Sequence, residues 1–167
     1  MKQLCAVACL LCALLLTPAA LAGESILDRF SGEWASSGPA FGMPAQSAMG
    51  WAPALGNKFT RLNYRIEMMT EAGPESTFEG VAYYRASEDE TFNAFWADNT
   101  GDLHPISATH EGDALISLWG VEGGKQGRTR YELFGKNEMQ VTDWIKTPDG
   151  WRLFNQNIFL RVLAKTE

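Results

Sequence analysis

Apolar and polar side chains alternate with a period of two along most of the chain from Gly32 onward. The clearest example is residues 59–69, where Leu62, Tyr64, Ile66 and Met68 alternate with Arg61, Asn63, Arg65 and Glu67. A period of two is that of a β-strand with one face against the core and the other in water. The pattern therefore predicts a protein built mainly of half-buried strands.

Turn-forming residues divide this region into segments of about 8–12 residues. Clusters of Gly, Asn, Asp and Pro occur at residues 38–44, 56–57, 71–74, 87–89, 99–102, 111–113, 123–124, 135–137 and 147–150, which is nine turns between about ten strands. An antiparallel meander of this length has two edges that could pair with other chains, and closure into an up-and-down barrel removes both. The predicted fold is all-β, a closed antiparallel up-and-down β-barrel of about ten strands, with a two-sheet sandwich as the alternative.

Two features depart from the regular alternation. Residues 25–30 place three apolar side chains on one side of a helical turn with Ser25 as the N-cap, which predicts a short helical lid before the first strand. Residues 114–121 and 152–162 are apolar on both faces. Apolar outer strands favour pairing with a second copy of the chain, so a homo-oligomer is one expected arrangement.

The first 22 residues have the pattern of a secretory signal peptide. They carry a cation at Lys2, an apolar run at residues 4–16 and a small-residue cleavage site that ends at Ala22. An apolar run of 13 residues is too short as a helix to cross a bilayer, so it predicts an export signal rather than a membrane anchor. The expected location is the periplasm or the extracellular medium, with residues 23–167 as a single barrel domain.

Cleavage after Ala22 would change the chemistry of the chain. All three cysteines lie at positions 5, 9 and 12, so the remaining 145 of the 167 residues would contain no thiol for a disulfide, a metal or a nucleophile. Loss of Lys2 would leave 13 Lys and Arg against 20 Asp and Glu, a formal net charge of −7. Because the chain has no basic cluster, nucleic acid and anionic membrane surfaces are not expected partners.

Gly32-Glu33-Trp34 on the first predicted strand resembles the Gly-x-Trp motif of the calycins, which include lipocalins, fatty-acid-binding proteins and nitrobindin-like haem barrels. The remainder is similar to a bacterial branch of exported domains of unknown function, in the stretches FEGVAYY, FWADNTG, GRTRYEL, VTDW and FLRV. In calycins the Trp packs across the barrel floor and a basic side chain of the last strand covers it. The resemblance implies these structural roles for Trp34 and Arg161.

The resemblance does not extend to haem binding. Nitrobindin-like barrels bind haem through a histidine of the last strand, where this chain has Asn155-Gln156-Asn157. The only histidines, His104 and His110, would lie roughly 20 Å apart on one face of a regular strand, too far to share a metal ion unless the chain folds back at His104-Pro105. No metal site and no cofactor is predicted.

The sequence has no nucleophile motif of the Gly-x-Ser-x-Gly type and no nucleotide or flavin signature. One carboxylate is a candidate for chemistry: if Met139, Val141 and Ile145 face inward, Asp143 faces inward with them, and burial would raise its pKa. Such a group could serve as a general base or as a polar anchor for a ligand. The alternative is that it pairs with an inward-facing arginine or a backbone amide.

The aromatic content predicts a cavity. Six Trp, nine Phe and four Tyr are more than a barrel floor requires, and barrels of about this strand number either enclose one small ligand or are filled by their own side chains. The predicted ligand-binding residues are Tyr64, Trp96, Trp119, Tyr131, Asp143 and Asn157.

A predicted lid over the cavity consists of Phe41 and Met43 on the loop of residues 38–44, unless that loop folds Phe41 into the core. The expected function is binding of a small, largely apolar molecule, with no catalytic residue assigned. The alternatives are an enzyme that uses Asp143 or a histidine as acid or base on a small hydrophobic substrate, and a filled structural or interaction barrel.

Overall fold

A computed structural model describes residues 24–86 and 91–163 of the protein. The proposed signal peptide, the cysteines and the predicted turn at residues 87–89 lie outside the described residues. One short helix precedes ten strands: α1 (Ile26–Phe30), β1 (Gly32–Ala40), β2 (Met43–Ala54), β3 (Phe59–Thr70), β4 (Gly73–Ala86), β5 (Thr91–Asp98), β6 (Leu103–Glu111), β7 (Ala114–Gly120), β8 (Gln126–Phe134), β9 (Glu138–Thr147) and β10 (Gly150–Arg161).

The ten strands form a closed antiparallel barrel in which each strand pairs with its neighbours in sequence. The last strand returns to the first, where Trp34 pairs with Arg161 and Ala35 with Leu160. This closure confirms the predicted barrel and excludes the sandwich. The β1–β10 pairing covers only these two residue pairs, whereas β1 pairs with β2 along its full length.

Side chains of β3 follow the predicted alternation. Leu62, Tyr64 and Ile66 are buried, while Asn63 and Arg65 are exposed. On β10 the inward positions Asn155, Asn157 and Phe159 are buried, and apolar side chains also project outward from this strand and from β7. These exposed apolar side chains are Leu118, Trp151, Leu153, Ile158 and Leu160.

Helix α1 and Trp34 close one end of the barrel. Ser25 caps the helix by accepting a hydrogen bond from the Leu27 amide at 3.3 Å, and Phe30 at the helix end is fully buried. The Trp34 ring is fully buried, and its indole N–H donates to the Phe30 carbonyl at 2.8 Å. The predicted helical lid is therefore a fixed plug at the floor of the barrel.

Arg161 covers Trp34 from the outside of this plug. Its guanidinium carbon lies 4.1 Å from the centroid of the Trp34 ring. The same group donates hydrogen bonds to the carbonyls of Arg29, Ser31 and Lys136, so it links α1 to the turn between β8 and β9. The arrangement matches the roles that the Gly-x-Trp resemblance implies for Trp34 and Arg161.

The prediction of a loop at residues 38–44 is wrong. Strands β1 and β2 continue to Ala40 and Met43, Pro39 pairs with Pro44, and only Phe41 and Gly42 form the turn, with φ of 52° and 81°. Two positive φ angles characterise the tight hairpin turn whose twist matches that of its strands. Proline is tolerated here because Pro39 lies where β1 has no backbone partner in β10.

Strand β6 runs unbroken through His104-Pro105, so the alternative in which the chain folds back there is also wrong. Both histidines lie on the same face of this strand, as predicted, and that face is the one that carries the buried residues Ile106 and Ala108. In the described part of the chain no helix is long and apolar enough to span a bilayer.

Candidate ligand-binding cavity

The interior of the barrel holds a cavity of about 510 Å³. It reaches the surface at the end opposite α1, among residues of the hairpin turns: Phe41 between β1 and β2, Thr100 between β5 and β6, and Lys125 between β7 and β8. Eight Phe, Tyr and Trp side chains form a large part of its lining, namely Phe41, Tyr64, Phe78, Tyr84, Trp96, Trp119, Tyr131 and Phe154.

The aromatic rings contact one another around the wall. Trp96 lies 6.1 Å from Phe78 in a stacked arrangement and 6.5 Å from Tyr64 edge to face, both measured between ring centroids. On the neighbouring part of the wall the His104 ring lies 5.4 Å from Trp119. Phe41 at the mouth is half exposed and packs edge-on against Phe78. The result is a cavity whose walls are largely π-faces and ring edges.

A chain of side-chain hydrogen bonds crosses four strands of this wall and ends at a fifth. The indole N–H of Trp119 donates to the Thr129 hydroxyl at 3.3 Å, and that hydroxyl donates to Asp143 Oδ1 at 2.6 Å. On the other side, Asn155 Nδ2 donates to Asp143 Oδ2 at 2.8 Å. Asn157 Nδ2 donates both to Asn155 Oδ1 and to the Pro39 carbonyl, each at 2.9 Å. Asp143 is thus the central acceptor of a network that runs from β7 to β1.

Asp143 faces the cavity, as the period of its strand predicts. Its partners are the side chains of Thr129 and Asn155, so the alternative of a paired arginine or backbone amide is wrong. Desolvation raises the pKa of the Asp143 carboxyl above its usual value, although the two hydrogen bonds act in the opposite direction. A carboxyl in this position can accept a hydrogen bond from a ligand and exchanges its proton at a higher pH than an exposed aspartate.

Tyrosine hydroxyls supply further polar groups inside the cavity. Tyr84 shares a hydrogen bond of 3.0 Å with Ser117, and burial raises the pKa of Tyr84 to about 12. Burial also raises the pKa of Tyr64 and of Tyr131, for which desolvation is the largest cause. All three phenols therefore keep their protons at neutral pH and can donate hydrogen bonds.

Tyr64 differs from the other two because its hydroxyl is buried without a hydrogen bond of ordinary geometry. Ser47 and Asn155 lie near it, and the Ser47 hydroxyl is also buried and unsatisfied. A buried donor without a partner costs about 1–3 kcal/mol. A ligand oxygen placed at Tyr64 would remove this cost, which makes the phenol a candidate contact for a ligand.

Charged side chains surround the mouth. The Lys125 ammonium lies 2.5 Å from the Asp102 carboxylate, so a salt bridge joins the β5–β6 turn to the β7–β8 turn. His104 Nε2 is 3.5 Å from the same carboxylate. The hydrogen bond from Lys125 and its charge lower the pKa of Asp102. The mouth is therefore polar, in contrast to the aromatic interior.

Five of the six predicted ligand-binding residues line the cavity: Tyr64, Trp96, Trp119, Tyr131 and Asp143. Asn157 lies one hydrogen bond behind the lining, where it holds Asn155 and Pro39. Of the predicted lid residues, Phe41 borders the mouth, while Met43 is not among the residues of the lining.

Four buried polar or phenolic residues of the site are not among those predicted from the sequence: Tyr84, Ser117, Thr129 and Asn155. The polar residues at the mouth, Asp98, Thr100, Asp102, Lys125 and Arg152, were not predicted either. Asn155 shares the strand parity of Asn157, and Thr129 shares that of Tyr131, so the period of two could have found both. Ser117 carries no such signal, because a small hydroxyl on a strand that is apolar on both faces does not indicate which face is inward.

Comparison with known proteins gives no family for this chain. No family model matches it, and no curated protein matches it. Among residues 24–86 and 91–163, no group of three or more His, Asp or Glu side chains could hold a metal ion.

Proposed function

We propose that the protein is an exported, calycin-like barrel that binds a small and largely apolar molecule inside its cavity. The observation that carries this proposal is the aromatic cavity of about 510 Å³. Ligand sites in proteins measure roughly 300–1,000 Å³ and combine mostly apolar walls with a few polar groups that orient the ligand. Export is supported by the signal-like pattern of residues 1–22.

The driving force for binding would be removal of apolar surface from water. Each Å² of apolar surface buried contributes roughly 25 cal/mol, so a ligand that covers the aromatic walls gains affinity without a strong polar contact. A barrel that served only as a structural unit would be filled by its own side chains. The open interior therefore favours a binding protein over the filled alternative.

Orientation of the ligand is assigned to Tyr64 and Asp143. Tyr64 offers an unused donor, and Asp143 offers carboxyl oxygens that face the cavity and already accept from Thr129 and Asn155. A hydroxyl group of the ligand can accept a hydrogen bond from Tyr64 and donate one to Asp143. A carbonyl oxygen of the ligand can accept a hydrogen bond from Tyr64 only. The proposed ligand is thus an apolar molecule with one hydroxyl or carbonyl group at its buried end.

Occlusion of the cavity tests the proposal directly. Ile106 lines the cavity and is nearly buried, so Ile106→Trp would place a large ring in the interior. We expect this variant to lose the ligands that co-purify with the wild-type protein from its native compartment, measured by native mass spectrometry.

Ser107→Trp is the matched control, because Ser107 is the next residue of β6 and is exposed on the outer face. It is expected to retain the bound ligands. If wild type carries no ligand and also fails to bind apolar fluorescent probes, or if Ile106→Trp binds as the wild type does, the proposal is wrong.

Tyr64→Phe is expected to weaken binding of a hydroxylated ligand by about 3- to 13-fold, which corresponds to the 0.5–1.5 kcal/mol of a typical hydrogen bond. Folding should be retained or slightly improved, since the substitution removes a buried hydroxyl that has no hydrogen bond of ordinary geometry. Calorimetric titration with a hydroxylated ligand and with its deoxy analogue separates the loss of a hydrogen bond from a change in the shape of the cavity. Equal losses for both ligands would show that Tyr64 contributes shape rather than a hydrogen bond.

An acid–base enzyme is the second candidate, and the placement of Asp143 favours it. Its carboxyl lies inside the cavity with a raised pKa, and the charge of Asp143 contributes to the raised pKa of Tyr64. Asp143→Asn would then abolish conversion of a bound substrate while leaving its binding largely intact. Binding without any conversion in the wild type would leave the cavity a binding site only.

A further inference from the structure

Two indole rings lie flat against glycines of neighbouring strands. A Cβ atom built on Gly80 of β4 would come within 1.9 Å of the Trp96 ring of β5. A Cβ atom built on Gly127 of β8 would come within 1.9 Å of the Trp119 ring, which belongs to its cross-strand partner on β7. Neither glycine has a positive φ angle. These positions therefore lack a side chain because a ring occupies the space, and not because the backbone requires glycine.

Each indole is also held at its edge by a hydrogen bond. Trp96 Nε1 donates to Asp98 Oδ2 at 2.8 Å, and Trp119 Nε1 donates to Thr129 Oγ1 at 3.3 Å. Each ring therefore lies against a glycine and is held at one edge by a hydrogen bond, and both rings line the cavity. Without the two glycines, the rings would have to move away from the wall into the interior. The glycines thus keep the cavity open and give it two flat walls.

Neighbouring rings pack against the two indoles at small interplanar angles. Phe78 is stacked with Trp96 at an interplanar angle of 18°, and the His104 ring is inclined by 33° to Trp119. Aliphatic side chains are few at this level of the cavity, with Ile106 between the two indoles on β6. A flat aromatic ring can stack on such a wall, and an aromatic pair contributes about 0.5–1.5 kcal/mol beyond its buried area. A puckered aliphatic ligand gains only the contribution of its buried apolar area.

We infer that the ligand is a planar aromatic molecule that stacks on Trp96 or Trp119 and places a hydroxyl or carbonyl group at Tyr64 and Asp143. This inference rests on the proposed function, because it names the class of ligand for the same cavity. It accounts for a feature that general hydrophobic binding leaves unexplained, namely that the chain uses glycine on two strands to hold indoles flush with the wall.

A pair of ligands with the same carbon skeleton tests the inference. The wild-type protein is titrated by calorimetry with 2-hydroxyphenanthrene and with its fully hydrogenated alcohol. Hydrophobic burial alone gives the saturated molecule equal or higher affinity, since it has the larger apolar surface. Stacking on one or two rings predicts the opposite order, with the aromatic ligand bound about 10-fold more tightly.

Substitutions of single tryptophans test whether the preference for the aromatic ligand comes from the indole rings of the cavity wall. Trp119→Leu is expected to reduce the ratio of the two affinities several-fold, whereas Trp144→Leu should leave it unchanged because Trp144 lies under the Arg128 guanidinium and is not part of the cavity lining. Trp119→Phe serves as the conservative variant and should retain part of the preference. The ratio in the wild type is decisive even if Trp119→Leu folds poorly.

The outcomes separate this inference from the proposed function. Equal or tighter binding of the saturated alcohol overturns the aromatic ligand class and leaves a general apolar binding site. Absence of binding for both molecules overturns both proposals. A preference for the aromatic ligand that survives Trp119→Leu and the corresponding Trp96→Leu would show that stacking on these rings is not its source, which also overturns the inference.

Discussion

Trp34→Ala is expected to lower the free energy of unfolding by about 3–5 kcal/mol, the usual cost of truncating a large aromatic side chain in a core. Trp34 is fully buried at the floor, beneath the Arg161 guanidinium. Its removal leaves the Phe30 carbonyl without its indole donor and exposes the junction between β1 and β10. Because that junction has only two residue pairs, we expect a loss of cooperativity as well as of stability. Chemical denaturation followed by tryptophan fluorescence and by circular dichroism measures both.

Trp151→Ala is the matched control for this prediction. Trp151 is 39% exposed on the outer face of β10, in contact with the Arg128 and Lys146 cations. Each exposed cation–π contact contributes about 0.5–1 kcal/mol, so this variant with two such contacts should lose no more than about 2 kcal/mol. Similar losses in the two variants would contradict the role of Trp34 as the residue that seals the floor.

The fold could be predicted from the sequence because its signals are local and repeat along the chain. The alternation on β3 identifies which side chains are inside, and clusters of turn residues separate one strand from the next. The closing contact joins residues more than a hundred positions apart, and it was predicted for Trp34 and Arg161 from a motif and its position at the two ends of the barrel. Local periodicity alone does not determine which strands meet at the seam.

Parts of the site could not be predicted, and the reasons are physical. Phe41 at a positive φ angle is unusual for a bulky side chain, so the two prolines and two glycines around it suggested a loop where the chain forms a tight hairpin. The cavity itself depends on the two indoles that lie over Gly80 and Gly127. A glycine within a strand indicates close approach of another group, but the sequence does not name the group.

The polar network links the closure of the barrel to its interior. Backbone pairing between β1 and β10 ends at Ala35 and Leu160, and further toward the mouth the two strands are joined by the hydrogen bond from Asn157 to the Pro39 carbonyl. Gly38 leaves room for this side chain, since a Cβ there would lie 2.1 Å from the Asn157 oxygen. The same asparagine holds Asn155, which donates to Asp143. The Asp143 carboxyl, to which we assign orientation of the ligand, is therefore held in place through the same Asn157 side chain that joins β10 to β1.

The charge of Asp143 should make the stability of the barrel depend on pH. Burial raises the pKa of Asp143 in the folded protein above the ordinary value of 3.8, which also describes the unfolded chain. Below 3.8 the carboxyl is protonated in both states and the shift has no effect. As the pH rises, the unfolded state releases this proton first, so the free energy of unfolding falls until the folded carboxyl also ionises. Each unit of difference between the two pKa values costs about 1.36 kcal/mol.

Asp143→Asn removes this titration, so the wild type should lose stability relative to the variant as the pH rises from about 4 toward neutrality, by denaturant unfolding at a series of pH values. Asp102→Asn is the control of opposite sign, because the hydrogen bond from Lys125 lowers the pKa of Asp102 and its contribution is lost as the pH falls. A difference between wild type and Asp143→Asn that grows in favour of the wild type with rising pH would mean that Thr129 and Asn155 stabilise the carboxylate by more than its burial costs. In that case Asp143 would be a fixed anion, and a ligand would meet it as a permanent acceptor rather than as a group that exchanges its proton.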